Sequence, residues 1–202
     1  MAKTFKPRLN TRIDEFHGAL AGALNNWQVI EGNCFMLFWH LSLYEKLKLP
    51  SILFTHIRSF EQRLSLIDKL LVASFKEKTW PREEWKPLLT RLKVAGAQRD
   101  RLVHYSFHHD KLDPYIARIE PPFWDFNRRH GPKAPSKGSG DHYMRTEQLN
   151  KVAHGFVALS LDLERFGNKL EPLCESIQKA HAQSVLKLSD LPASPDQTQG
   201  SK

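Results

Sequence analysis

Cysteine is scarce. Cys34 and Cys174 are the only two in 202 residues, far apart and each set in an apolar helical pattern. They make neither a disulfide framework nor a Cys-based zinc site, and they fit a reducing compartment. Neither has a close basic neighbour in sequence to activate it, so both read as small buried apolar residues. Long hydrophobic runs are missing as well. The longest charge-free apolar stretch, Gly32 to Tyr44, is shorter than the ~18 residues a spanning helix needs, so no membrane partner is expected. The opening Met1-Ala2-Lys3-Thr4-Phe5-Lys6-Pro7 lacks the apolar core of a signal peptide, which predicts a cytoplasmic protein. No P-loop, Gly-x-Gly-x-x-Gly or Gly-x-Ser-x-Gly occurs. NTPase, dinucleotide and serine-hydrolase chemistry therefore has no support, and no cofactor is implied.

What the chain does have is apolar mass and positive charge. A 41% hydrophobic fraction and five Trp fill a sizeable core and exclude full-length disorder. The length suits one domain. Thirty Lys+Arg against 22 Asp+Glu leave a net charge of +8. Cations that meet phosphates release condensed counterions, so a polyanionic partner is one reading and a solvated basic surface the other.

The apolar spacing predicts helices. Steps of three or four run from Ile13 through Phe16, Leu20, Leu24, Trp27, Ile30, Cys34, Leu37 and Leu41 to Tyr44, with a kink at Gly32 and a stop at Leu49-Pro50. Ser51 reads as the cap of a second helix, carried by Leu53, Ile57, Phe60, Leu64, Ile67 and Leu71. A third starts near Pro81 or Pro87 and reaches about His108, and Thr146 caps a fourth through Leu173, with Pro172 near its end. The expected fold class is all-α, an antiparallel four-helix bundle with one long loop at about residues 109–145. That loop is rich in Pro and Gly, and Tyr115 to Ile119 fits a strand or hairpin arm within it. Residues 1–11 read as an extension, 12–183 as the helical domain and 184–202, rich in Ser, Pro, Gln and Asp, as a disordered tail. Phe35, Phe38, Trp39 and Tyr44, with Trp27, read as core or dimer interface rather than a cofactor box.

Chemistry concentrates at the end of the third helix, in Gln98-Arg99-Asp100-Arg101-Leu102-Val103-His104-Tyr105-Ser106-Phe107-His108-His109-Asp110. On an ideal helix Asp100 stacks on His104 and His104 on His108, and a carboxylate beside an imidazole fixes its tautomer and raises its basicity. Arg99 lies about 140° around the helix from His104, at about 100° per residue. His104, His108, His109 and Asp110 also admit a metal reading, for which a third ligand is lacking in the helix, so no metal is assigned.

Arg99-Asp100-x-x-x-His104 near the end of the third helix of a four-helix bundle resembles the Arg-polar-x-x-x-His signature of HEPN domains, and the likeness covers about residues 10 to 180. The resemblance implies an all-α homodimer and a metal-independent endoribonuclease of toxin–antitoxin or other defence systems, with an antitoxin or other protein as a further partner. It implies Arg99, Asp100 and His104 as the catalytic set, completed across a dimer interface. It also implies RNA as substrate and 2′,3′-cyclic phosphate products. An imidazole can take the 2′-hydroxyl proton while its dimer mate protonates the leaving oxygen, and arginine's fork of donors suits the growing phosphoryl charge. One departure concerns the tyrosine that some family toxins carry two positions after the histidine. Here Tyr105 follows at once and Ser106 takes that place.

Arg101 and His108 extend the set as substrate-binding candidates. So do Trp124, Arg128 and Arg129, in a stretch where aromatics interleave with cations as in single-strand binding sites. The other reading there is that Phe123, Trp124 and Phe126 pack the loop onto the bundle. The alternative function is a non-catalytic HEPN-like module that binds nucleic acid, a nucleotide or a protein partner.

Overall fold

The computed structural model describes residues 9–42, 48–104, 106–109, 117–120 and 144–189. Five helices carry the described residues: α1 (Leu9–Ser42), α2 (Lys48–His56), α3 (Phe60–Ser74), α4 (Trp80–His104) and α5 (Thr146–Ser189). Strands β1 (Ser106–His109) and β2 (Ala117–Glu120) form an antiparallel ribbon in which Phe107 faces Ile119 and His108 faces Arg118. All-α describes the class, because the core cluster comes entirely from the helices.

The apolar stripe of α1 buries Phe16, Ala23, Trp27, Ile30, Cys34, Leu37 and Leu41. The stripe of α5 buries Leu149, Phe156, Leu159, Leu163, Phe166 and Leu170 against it. A fully buried Leu or Phe contributes about 1.5–3 kcal/mol, so this pair is the main source of cohesion. Polar bonds fix its register. Asn26 Nδ2 donates to the Ala153 carbonyl at 3.3 Å and Asn33 Nδ2 to that of Ser160 at 2.9 Å. Both residue numbers climb together, so α1 and α5 run parallel. The pairs Arg91–Asp162 and Lys169–Glu84 climb in opposite senses and make α4 antiparallel to α5. Trp85 Nε1 donates to Asp68 at 3.0 Å, and Gly96 meets Phe60, which makes α3 antiparallel to α4.

The antiparallel order expected for four helices is therefore corrected: α1, α3 and α5 share one direction and α4 opposes them. The cause lies in the expected second helix, which is two helices. The chain leaves α2 at His56, turns at Ile57-Arg58-Ser59 and starts α3 at Phe60. Ser59, extended at φ −88° and ψ 129°, caps α3 by accepting the Gln62 N–H. Arg63 stabilises the turn, its Nε donating to the Ile57 carbonyl at 2.8 Å and its guanidinium lying 5.1 Å over the Phe54 ring.

Other boundaries shift for local reasons. Pro50 sits in the first turn of α2, where its missing N–H is harmless, so Ser51 lies inside that helix and is not its cap. Phe35 and Phe38, expected in core or interface, pack on Phe54 of α2 at 5.6 and 5.3 Å. α1 begins at Leu9 and continues through Gly32, and Tyr44 lies outside the described residues. Trp80 opens α4, which leaves Pro87 in its interior. Arg145, rather than Thr146, takes the cap position of α5: its carbonyl accepts the Leu149 N–H and its own N–H meets Gln148 Oε1. α5 includes Pro172 and remains helical to Ser189, past the Ser184 expected to begin a tail. The expected arm at Tyr115 to Ile119 falls at Ala117–Glu120. Among the described residues, no helix is long and apolar enough to cross a membrane.

Candidate functional site

The last turns of α4 carry the motif. Leu102, 4% exposed, anchors the inner face, while Asp100, Arg101 and His104 are exposed and Arg99 is half-buried. Arg99 and Asp100 are paired with each other: Arg99 Nη1 donates to Asp100 Oδ1 at 3.1 Å, with side-chain exposures of 33% and 63%. Arg101 and His104 are exposed, and α4 ends at His104.

Two expectations are corrected here. The carboxylate of Asp100 serves Arg99, and among the described residues His104 has no hydrogen-bond partner, so the Asp100–His104 pairing is not formed within one chain. His108 does not stack on His104 along a helix, because it lies in β1 opposite Arg118. A helical His104/His108 clasp for a metal disappears with it, and among the described residues no cluster of three metal-ligating side chains occurs. Trp124, Arg128 and Arg129 lie outside the described residues, as does Asp110.

Arg99 and Asp100 border a cleft of about 670 Å³ between α1, the start of α3 and α4. Sequence reasoning missed this feature. Its wall holds four cations, Arg58, Arg63, Lys93 and Arg99, and three carboxylates, Glu31, Glu61 and Asp100. Arg63 bonds Glu31 at 3.4 Å and is committed to the α2–α3 turn. Arg58 and Lys93 have no carboxylate partner among the described residues. His104 is not among the lining residues, so the two halves of the motif open onto different surfaces: Arg99 inward to the cleft, His104 outward beyond it.

A signal for the cleft was present in the sequence. Ser59-Phe60-Glu61-Gln62 has the Ser-x-x-Gln spacing of a helix start, and it falls inside what the hydrophobic period reads as one helix.

The site thus belongs to an all-α chain with an exposed Arg-Asp-x-x-x-His turn beside a cation-bearing cleft. Comparison with protein-family models, curated proteins and solved structures finds no match.

Proposed function

We propose that the chain is a HEPN-type, metal-independent endoribonuclease of the toxin or defence kind, acting as a homodimer. The observation that supports it is His104, exposed at the end of α4 five residues after the half-buried Arg99. An exposed imidazole with no hydrogen-bond partner among the described residues can meet substrate and a second copy of itself. In the reaction, His104 takes the proton of an RNA 2′-hydroxyl, whose oxygen attacks the adjacent phosphorus. The bond from phosphorus to the 5′-oxygen breaks, and the imidazolium of the second copy protonates that oxygen. Arg99, released from Asp100, stabilises the charge on the non-bridging oxygens.

The test is incubation with end-labelled RNA in EDTA beside His104→Ala. Cyclic-phosphate ends that vanish in the variant support the reading, and cleavage unchanged by His104→Ala removes it. A second reading, a non-catalytic HEPN-like binding module, draws on the absence of an Asp100–His104 bond. Salt-dependent RNA binding without product over time is its signature.

A further inference from the structure

The cleft beside Arg99 gathers seven charged side chains, four cations and three carboxylates. Its volume of about 670 Å³ is in the range of small-ligand sites. Two of its three carboxylates are already matched: Glu31 by Arg63, a pair partly shielded from solvent, and Asp100 by Arg99 in a more exposed pair of neighbouring residues. The first is structural, since Arg63 also holds the α2–α3 turn. The second is weak and exchangeable, because an exposed ion pair contributes only about 0–1 kcal/mol. That leaves Arg58 and Lys93, which have no carboxylate partner among the described residues, against the single carboxylate of Glu61; opening the Arg99–Asp100 pair frees one charge of each sign, so the lining keeps one excess positive charge.

The backbone adds to this balance. Ser59, Phe60 and Glu61 line the cleft at the start of α3, where first-turn N–H groups have no helical acceptor. Lys93, Gly96 and Arg99 are spaced three apart along α4 and so form one ridge facing that helix start. Gly96 allows the approach. A Cβ there would lie 3.1 Å from Phe60 Cδ1, so the absence of a side chain brings the α3 terminus close to α4.

We infer that this cleft binds a phosphate group of an RNA strand or nucleotide, with Arg58, Lys93 and Arg99 as its cations. As a grip on RNA beside the reacting end of α4, it rests on the ribonuclease reading and names two residues that reading did not contain. Phosphate entering the cleft displaces Asp100 from Arg99 and is held by three cations drawn from α4 and the α2–α3 turn.

The experiment is fluorescence anisotropy of a labelled single-stranded RNA over a range of salt, with a labelled mononucleotide as a separate arm. Wild type, Arg58→Gln/Lys93→Gln and Lys179→Gln are compared, with thermal melting as the control for folding. The double variant should weaken RNA binding at least tenfold at low salt. It should also flatten the dependence of log K on log salt by about 1.4, at about 0.7 per cation for single strands. Lys179→Gln, which removes an exposed cation that does not line the cleft, should bind as wild type does. Wild-type RNA binding with an unchanged double variant overturns the cleft and leaves the ribonuclease reading to the cleavage assay. Loss of nucleotide binding in the double variant, with no RNA bound by wild type, keeps the phosphate site and removes the ribonuclease. Failure of wild type to bind either ligand overturns both.

Discussion

Arg99 Nη1 lies 3.1 Å from Asp100 Oδ1, a contact between adjacent residues that leaves the imidazole of His104, one turn away, without a carboxylate among the described residues. Within one chain, Asp100 therefore restrains the arginine rather than the histidine. Asp100→Asn should change stability by less than about 1 kcal/mol, as for other exposed pairs. It should tighten RNA binding, because Arg99 loses a competing anion. Anisotropy and thermal melting of the variant check both parts. Weaker binding would mean that the carboxylate supports the RNA site in another way, such as orienting an imidazole across a dimer.

Gly96 gives a second expectation. Removing the gap between α3 and α4 forces the Phe60 ring, which stacks edge-on against Trp27 at 4.5 Å, out of place. Gly96→Leu should cost about 1–3 kcal/mol, the usual range for overpacking, despite its better helix propensity. Urea unfolding reads the loss. A gain would show that Phe60 swings aside freely and that the cleft wall is soft.

The long stripes were legible because burial repeats at helical spacing. Phe16, Trp27, Ile30 and Leu37 on α1, and Phe156, Leu163 and Phe166 on α5, are buried where the period puts them. The break at Ile57–Ser59 was hidden by the same rule. Phe54, Ile57, Phe60 and Leu64 keep steps of three and four across it, so one continuous helix and two helices joined by a turn look alike in apolar spacing. Missing that turn reversed the direction of α3 and, with it, the expected bundle. The Arg99-to-His104 turn was legible as a local motif, since its residues are neighbours in sequence. The cleft was not, because Glu31, Arg58, Lys93 and Arg99 are brought together only by packing.

Trp85 offers a test of the core. It is 1% exposed, its ring packs beside Phe166 at 5.8 Å, and its Nε1 donates to Asp68 Oδ1 at 3.0 Å. Trp85→Phe keeps much of the packing but leaves the carboxylate without its donor, and should cost about 1–3 kcal/mol. Trp85→Ala adds a cavity and should cost about 3–5 kcal/mol. Chemical denaturation of both variants orders the two effects. Equal losses would mean that the ring packing contributes nothing beyond the hydrogen bond.

The two thiols predict how stability responds to alkali. Burial pushes Cys34 far above the ordinary thiol value near 9, with Glu31 raising it further and Arg63 opposing. Burial also pushes Cys174 up to about 11. A thiol raised in the folded state contributes fully below the unfolded value, and that contribution is lost as pH rises above it. For Cys174 the loss runs between about pH 9 and pH 11. At neutral pH its thiolate fraction is about a hundredfold below that of an ordinary thiol. Iodoacetamide at pH 7.5 should therefore modify neither cysteine in the folded protein and both in urea. The stability advantage of wild type over Cys34→Ala should shrink when urea unfolding is repeated from pH 8 to pH 10, because only the wild-type unfolded chain gains by ionising residue 34. Lysine and tyrosine titrations cancel in that difference. Rapid labelling of the native protein would place at least one thiol at the surface, and a difference independent of pH would mean that the buried environment of Cys34 does not oppose its ionisation.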